Sequence, residues 1–432
     1  WCGIYMSSSS NNNLSGNTVN ENNNYGIYMS SSGSNNLSGN TFVNDGLFVQ
    51  YSYHNTVEDN TVNDKPLVYL EDASNCSVEE DAGQVILVNC NNVTVEDQDL
   101  SNTTVGVELW RTTNSLITSN TASNNYYGIY MSSSDSNNLS GNTVNESDNY
   151  GIYMSSSDSN NITGNTFVND GLFVRYSYHN TVEDNTVNDK PLVYLEDASN
   201  CSVEEDAGQV ILVNCNNVTV EDQDLSNTTV GVELWRTTNS LITSNTASNN
   251  YYGIYLYSSD SNNLSGNTAN ENDNCGIYLY SSDSNNLSGN TALDNNYGIY
   301  MPYSSNNTLT GNTANENNYY GIYMDSSSNN NLSDNTVNEN DDYGIYMYSS
   351  DSNNLSDNTA NENDDCGIYM YSSDSNNLSG NTALDNYYGI YMSYSSNNNL
   401  SDNTVNENDY YGICMDSSDS NNLSGNTALD NN

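Results

Sequence analysis

The chain has almost no positive charge. Its 432 residues include 5 Lys and Arg against 55 Asp and Glu, for a formal net charge of −50. Such a surface repels phosphate backbones and anionic bilayers, which excludes nucleic acid and membrane surfaces as partners. It attracts cations, and Ca²⁺ enters only as a counter-ion, either loosely held or crosslinking the surface. No stretch is long and apolar enough to span a membrane. A 3.6-residue apolar period is also missing. Asn, Ser and Gly dominate instead and are poor helix formers, so helices are excluded as the main element. There are two histidines, and the eight cysteines show no zinc-site spacing. No signal peptide opens the chain, which starts inside a repeat at Trp1-Cys2-Gly3-Ile4 and reads as a mature product or a fragment.

What is present is repetition. Asn-Tyr-Gly-Ile-Tyr-Met, as at Asn24–Met29, returns about every 22–23 residues. Asn-Asn-Leu-Ser-Gly-Asn-Thr, as at Asn35–Thr41, trails it at fixed distance. High charge and polar bias favour disorder, but apolar residues placed this strictly argue for a stacked structure. Gly-Ile-Tyr-Met reads as a short strand, with Ile27 and Met29 facing inward and Tyr28 outward. Here Gly turns the corner. Leu37 begins a second strand, Gly39-Asn40-Thr41 turns again, and an Asn/Asp cluster closes the coil. Three short strands and three turns describe one coil of a parallel β-helix. An isolated coil cannot offset its ordering entropy by burial alone, so the coils must stack to fold.

Stacking sets like residues on like. Asn17, Asn40, Asn142, Asn165 and Asn267 form an internal amide ladder. Tyr28, Tyr130, Tyr153, Tyr255, Tyr278, Tyr300, Tyr323, Tyr346, Tyr369 and Tyr391 form an outer tyrosine column, its rings about 4.8 Å apart. The fold class is therefore all-β, a single parallel β-helix over 1–432 of about twenty coils of 17–23 residues, without caps, and ~90–100 Å long at ~4.8 Å per coil. Regular coils occupy 1–41, 131–166 and 256–432. The blocks 42–130 and 167–255 are irregular and differ from each other only at Gln50 and Arg175, a tandem duplication. They hold all five basic residues and both histidines.

Several residues stand out chemically. Cys76 and Cys90, repeated as Cys201 and Cys215, lie within a coil of each other, so a disulfide is open to each pair. Cys2, Cys275, Cys366 and Cys414 replace column or neighbouring tyrosines, as buried thiols or as links between molecules. Asn-Leu-Ser sequons occur at Asn13, Asn36, Asn138, Asn263, Asn286, Asn331, Asn354, Asn377, Asn399 and Asn422; they are glycan acceptors or simply the turn and ladder residues of the coil. Joining Leu429-Asp430-Asn431-Asn432 to Trp1-Cys2-Gly3-Ile4 nearly reproduces an internal repeat. Either the chain is cut from a longer repeat protein or its ends are assembly surfaces.

The two repeated phrases resemble the right-handed parallel β-helix repeat of NosD-like proteins, in particular the long Asn/Ser-rich repeat proteins on the surface of methanogenic archaea. The resemblance covers nearly the whole chain and implies a right-handed helix in an exported, carbohydrate-rich setting. A copper role fits poorly, because the Met column (Met29, Met131, Met154) reads as core. β-Helices also host polysaccharide lyases, epimerases and glycosidases, which need a carboxylate cluster in one groove. The candidates are His54, Lys65, Glu71, Asp72, Glu79, Glu80, Asp81, Glu96, Asp97, Glu108 and Arg111, each duplicated about 125 residues on. No strand shows a committed acid/base pair. Trp110-Arg111 and Trp235-Arg236, near Glu108 and Glu233, could stack on sugar or seal a protein contact. The resulting expectation is a non-enzymatic extracellular protein that builds a surface fibre, sheath or layer by head-to-tail stacking with itself. The alternative is a carbohydrate-binding or carbohydrate-active module of an adhesin that engages surface glycans.

Overall fold

A computed structural model describes residues 1–79 and 81–432. It is all-β, a right-handed parallel β-solenoid of about 19 turns. The described chain contains 47 strands and forms two compact units, Trp1–Tyr194 and Leu195–Asn432.

The second unit shows the regular coil. Strand Tyr320–Asp325 lies parallel between Tyr297–Pro302 and Tyr343–Tyr348, with Ile299, Ile322 and Ile345 in register and Met301, Met324 and Met347 beside them. Alternation turns these six side chains inward, where all are fully buried. A second side stacks strands such as Asn331–Ser333, with Leu332 in the core. The third side is reduced to single bridges, Thr313 to Thr336 to Thr359, over buried Ala314, Val337 and Ala360.

Corners are made by left-handed residues. In one coil Ser326, Asn329, Asp334 and Glu339 have φ of 51°, 59°, 55° and 56°. Ser, Asn and Asp tolerate or locally bond this conformation. The corner glycines are those of the Ser-Gly-Asn phrase, such as Gly39 at φ 63°. The glycine of Gly-Ile-Tyr does not turn a corner, contrary to the sequence reading. Gly276 sits inside strand Cys275–Tyr280, where a Cβ would lie 2.8 Å from the carbonyl oxygens of Ala269 and Gly298. Close approach of neighbouring coils, not φ, demands it.

Between the strands run internal side-chain ladders. Asn312 N–H and Nδ2–H both donate to Asn335 Oδ1 at 3.0 Å, and Asn335 Nδ2–H donates to Leu309 O at 3.0 Å. Asn317, Asn340 and Asn363 repeat the pattern at another corner, Asn330 and Asn353 at a third, and Ser327 and Ser350 at a fourth. The sequence reading anticipated one such ladder; each regular coil feeds four. They satisfy the corner N–H groups that no strand can reach.

The first unit is built differently. Three coils stack over Trp1–Val62. Their first side carries Cys2–Ser7, Tyr25–Ser30 and Leu47–Gln50, the second Asn13–Ser15, Asn36–Ser38 and Thr56–Glu58, and the third Thr18–Asn20, Thr41–Val43 and Thr61–Val62. Then Asn63 and Asp64, at φ 50° and 64°, make a two-residue hairpin that pairs Val62 with Lys65 and Thr61 with Pro66 antiparallel. Strand Lys65–Glu71 opens a second stack, followed in parallel by Gln84–Val88, Val105–Trp110, Tyr127–Ser132, Tyr150–Ser155 and Leu172–Arg175. The uninterrupted stack expected from the repeats is thus broken at the hairpin. The outer face of the second stack closes the first: Ile86, Val88 and Trp110 join Ile27, Met29, Leu47 and Val62 in one core. The same Asn-Asp pair, Asn188 and Asp189, again pairs Val187 with Lys190 antiparallel.

Candidate functional site

The hairpin leaves the coil ending at Val62 without a successor. Within a regular stack the next coil supplies acceptors for its N–H groups; here side chains of the duplicated block do so. Gln84 Oε1 accepts from Leu47 N–H at 3.0 Å, and its Nε2–H donates to Leu47 O at 2.7 Å. Both oxygens of Glu108 lie 3.1–3.2 Å from Val49 N–H. Glu71 accepts from the backbone N–H groups of His54 and Asn55 and from the Tyr69 hydroxyl. These three residues cap the first stack from within the chain, although the sequence reading placed Glu71 and Glu108 among catalytic candidates.

Glu108 is fully buried. Burial pushes its carboxyl well above the usual carboxylate range, and the Val49 N–H pulls only weakly the other way. It is held inside the contact and away from solvent.

Aromatic rings complete the contact. Tyr25 meets Tyr126 edge-on at 5.0 Å between centroids, and Phe48 meets Tyr130 edge-on at 4.9 Å. Trp110 is almost wholly buried, 4.2 Å from the Tyr53 ring. Of the two roles open to it, sealing a protein contact is the one it fills. Arg111 lies over Tyr53 and donates to its hydroxyl. Trp235 and Glu233 are buried in the second unit.

The remaining candidates are scattered. Asp72, Glu96 and Asp97 are exposed, and Asp72 accepts from Asn89 Nδ2–H at 2.6 Å. Lys65 pairs with Asp81 at 3.0 Å. Glu79 stands on the rim of a groove of about 810 Å³ that is also lined by Val57, Glu58, Leu67, Tyr69 and Val78. Glu80 lies outside the described residues. His54, Glu71 and Asp72 bring one ligand atom each within 4.8 Å of the others.

All eight cysteines are free. The Cys76–Cys90 and Cys201–Cys215 disulfides left open by the sequence are not formed. The Cys90 and Cys215 thiols instead donate to the Leu70 and Leu195 carbonyls at 3.3 Å, and burial pushes each thiol up to about 11. Cys275 and Cys366 are buried thiols, while Cys2 and Cys414 are half-buried. The sequon asparagines sit in strands and form an outer ladder, with Asn354, Asn377, Asn399 and Asn422 each donating from Nδ2 to the preceding Oδ1 at 2.7 Å. Tyr300, Tyr323, Tyr346 and Tyr369 stack at 4.6–5.1 Å with interplanar angles of 5–6°. Trp1 and Leu429 are exposed, and Asn431 Oδ1 accepts from Asn408. No signal beyond the duplication itself pointed to Gln84, because a lone Gln before an apolar run looks like any strand residue.

This geometry can be set beside known proteins. The model of the family described as periplasmic copper-binding protein (NosD) matches residues 1–75, 66–201 and 192–313, and a model described as right handed beta helix region matches 288–428. The chain belongs to the NosD family. A search of curated proteins found no match. Among solved structures, the family member described here is similar to the periplasmic alginate epimerase AlgG, at 14% identity over 84% of this chain and 85% of that one, with a TM-score of 0.44. It is also similar to the AlgE6 A-module, a mannuronan C-5 epimerase of Azotobacter vinelandii, at 9% identity over 84% and 91% with a TM-score of 0.30. The Dettilon tailspike protein matches at 13% identity over 73% of this chain and 56% of that one, with a TM-score of 0.36.

Proposed function

We propose that this chain is a non-enzymatic structural protein, exported and built into a cell-surface fibre, sheath or layer by head-to-tail association with itself. One observation carries the reading. Two of the acidic residues that could have formed an active centre, Glu71 and Glu108, are occupied in closing one stack of coils against another. A carboxyl that is fully buried and holds a strand edge, as Glu108 does, is unavailable to a substrate. An exported location is supported by the family description, which names the periplasm.

One run of the outer tyrosines, Tyr300 to Tyr369, supports the same reading. Rings stacked face to face within 5–6° present their edges to solvent. A sugar stacks on an aromatic face, and these faces are taken by neighbouring rings.

The family description also names copper. The residues present fit it poorly. Met29, Met131 and Met154 are fully buried core side chains, so these three thioethers do not reach solvent. His54 offers one imidazole, and Glu71 beside it is already accepting three hydrogen bonds.

Electron microscopy of the purified protein tests the reading: rods growing by whole subunits are expected, and monodisperse monomers at high concentration would sink it. A carbohydrate-active function is the second reading, favoured by the groove bearing Glu58 and Glu79. It predicts sugar release from an acidic polysaccharide that Glu79→Ala with Glu204→Ala abolishes.

A further inference from the structure

We propose that the groove beside the Asn63-Asp64 hairpin is a strand-acceptor site that takes an extended basic segment of another protein. The coil ending at Val62 has three sides. Leu47–Gln50 is closed by Gln84 and Glu108, and Thr61–Val62 is paired with Lys65 and Pro66. Thr56–Glu58, however, is the last strand of its three-stranded sheet, and no strand follows it among the described residues. The opposite wall, Ser74–Ser77, is likewise the last strand of its own sheet.

Between these walls lies Lys65–Glu71. One side of it pairs with Gln84–Val88 from Leu67 to Glu71, whereas on the other side only Lys65 and Pro66 have a partner strand. In a parallel ladder, alternate residues direct their N–H and C=O to opposite neighbours. Leu67 N–H donates to Asn60 O at 2.9 Å, away from Gln84–Val88. Tyr69, two residues on, directs its N–H and C=O the same way, into the groove. A strand edge with free backbone groups is a template for another strand.

The lining selects the occupant. Val57, Leu67 and Val78 give an apolar floor, each 7–8% exposed. Glu58, Asp59 and Glu79 give an exposed acidic rim, while Lys65, next to the lining residue Pro66, is tied to Asp81. An apolar floor under an acidic rim complements a strand that alternates apolar and basic residues. A second copy of this chain does not qualify, because its five Lys and Arg are never within one strand of each other.

The test uses the full chain and a fluorescent Val-Lys-Val-Lys-Val-Lys-Val peptide, read by anisotropy. Saturable binding is expected, with the Tyr69 amide becoming protected from hydrogen exchange. N-methylation of alternate peptide amides should weaken binding at least tenfold. Glu58→Gln with Glu79→Gln, made together with the duplicate pair Glu183→Gln and Glu204→Gln, should weaken it at least fivefold and flatten its salt dependence. These carboxylates are exposed, and an unchanged circular dichroism spectrum confirms that the variant is folded. Failure of the peptide to bind overturns the proposal. Equal binding of the N-methylated peptide overturns it too, because charge alone would then account for the affinity. Protection of Tyr69 by an oligosaccharide but not by the peptide assigns the groove to carbohydrate instead.

Discussion

The regular coils of 256–432, in the second unit, and the paired stacks of Trp1–Tyr194 satisfy the same kind of backbone group with different partners. At Asn312 the acceptor is another asparagine one coil away, and the arrangement repeats at Asn335, Asn358 and Asn381. At Val49 the acceptor is Glu108, 59 residues away in sequence. The first solution is periodic and local, and it works only while another coil follows. The second ends a stack and needs one specific side chain at one place. A solenoid can therefore be lengthened by copying coils, but it can change direction only where residues such as Gln84, Glu108 and Glu71 stand ready.

The largest effect should come from breaking the periodic solution. Asn335→Ala removes the acceptor for Asn312 and the donor to Leu309 O in a site without water access. Orphaned buried groups cost about 1–3 kcal/mol each, so a loss of about 4 kcal/mol is expected. Denaturant unfolding measures it, and hydrogen exchange should place the opening in the coils flanking Asn335. A loss below about 1 kcal/mol would mean that water replaces the ladder.

Glycine substitutions sharpen the contrast. In Gly276→Ala the new Cβ meets the carbonyl oxygens of Ala269 and Gly298 and the Cβ of Ala292, all at 2.8 Å and none able to rotate away. In Gly46→Ala it meets Thr103 Oγ1 and the amide of Gln84, which are side-chain atoms that can move. The first should cost about 3 kcal/mol and the second about 1 kcal/mol, compared by midpoints of thermal or urea unfolding. Equal costs would mean that the contact between stacks is as rigid as the coil interior.

Much of this was legible in the sequence. The phrase around Gly26 gave the coil length, the inward Ile27 and Met29, and the outward Tyr28, because stacking imposes one environment on every copy. The hairpin was harder to see. Asn63-Asp64 is a turn signal, but Asn and Asp fill so many corners here that it did not differ from its surroundings. The roles of Gln84 and Glu108 were illegible for a different reason. Each bonds a strand far away in sequence, and periodicity carries no information about contacts that occur once per stack. Carboxylates clustered in an irregular block looked like chemistry, whereas Glu71 and Glu108 bond backbone N–H groups.

Glu108 also gives the two regions different pH responses. Its folded carboxyl titrates above its unfolded value of about 4.3. Below that pH both states are protonated and the group adds no pH dependence. As pH rises, the unfolded chain releases the proton first, so stability falls, by up to about 1.4 kcal/mol per pH unit, until the folded group also ionises. Glu108→Gln keeps the acceptor for Val49 without titrating. Wild type and variant should match near pH 4, and the variant should become the more stable as pH approaches 7. Parallel stability curves would show that Glu108 is solvated in the folded state.

The smallest effect belongs to Glu71, at the open rim of the same contact. Its carboxylate accepts from His54 and Asn55 N–H where a regular coil would use an asparagine such as Asn55 itself, which accepts from Asn35. If the cap needs only an acceptor, Glu71→Gln should cost less than about 1 kcal/mol, and Glu71→Ala about 1–2 kcal/mol through two unpaired N–H groups. Hydrogen exchange at His54 and Asn55 reads this directly. Faster exchange in Glu71→Ala with slow exchange retained in Glu71→Gln would identify Glu71 as a substitute for the missing next coil. Fast exchange in both would mean that negative charge, drawn to the converging N–H groups, holds the corner closed.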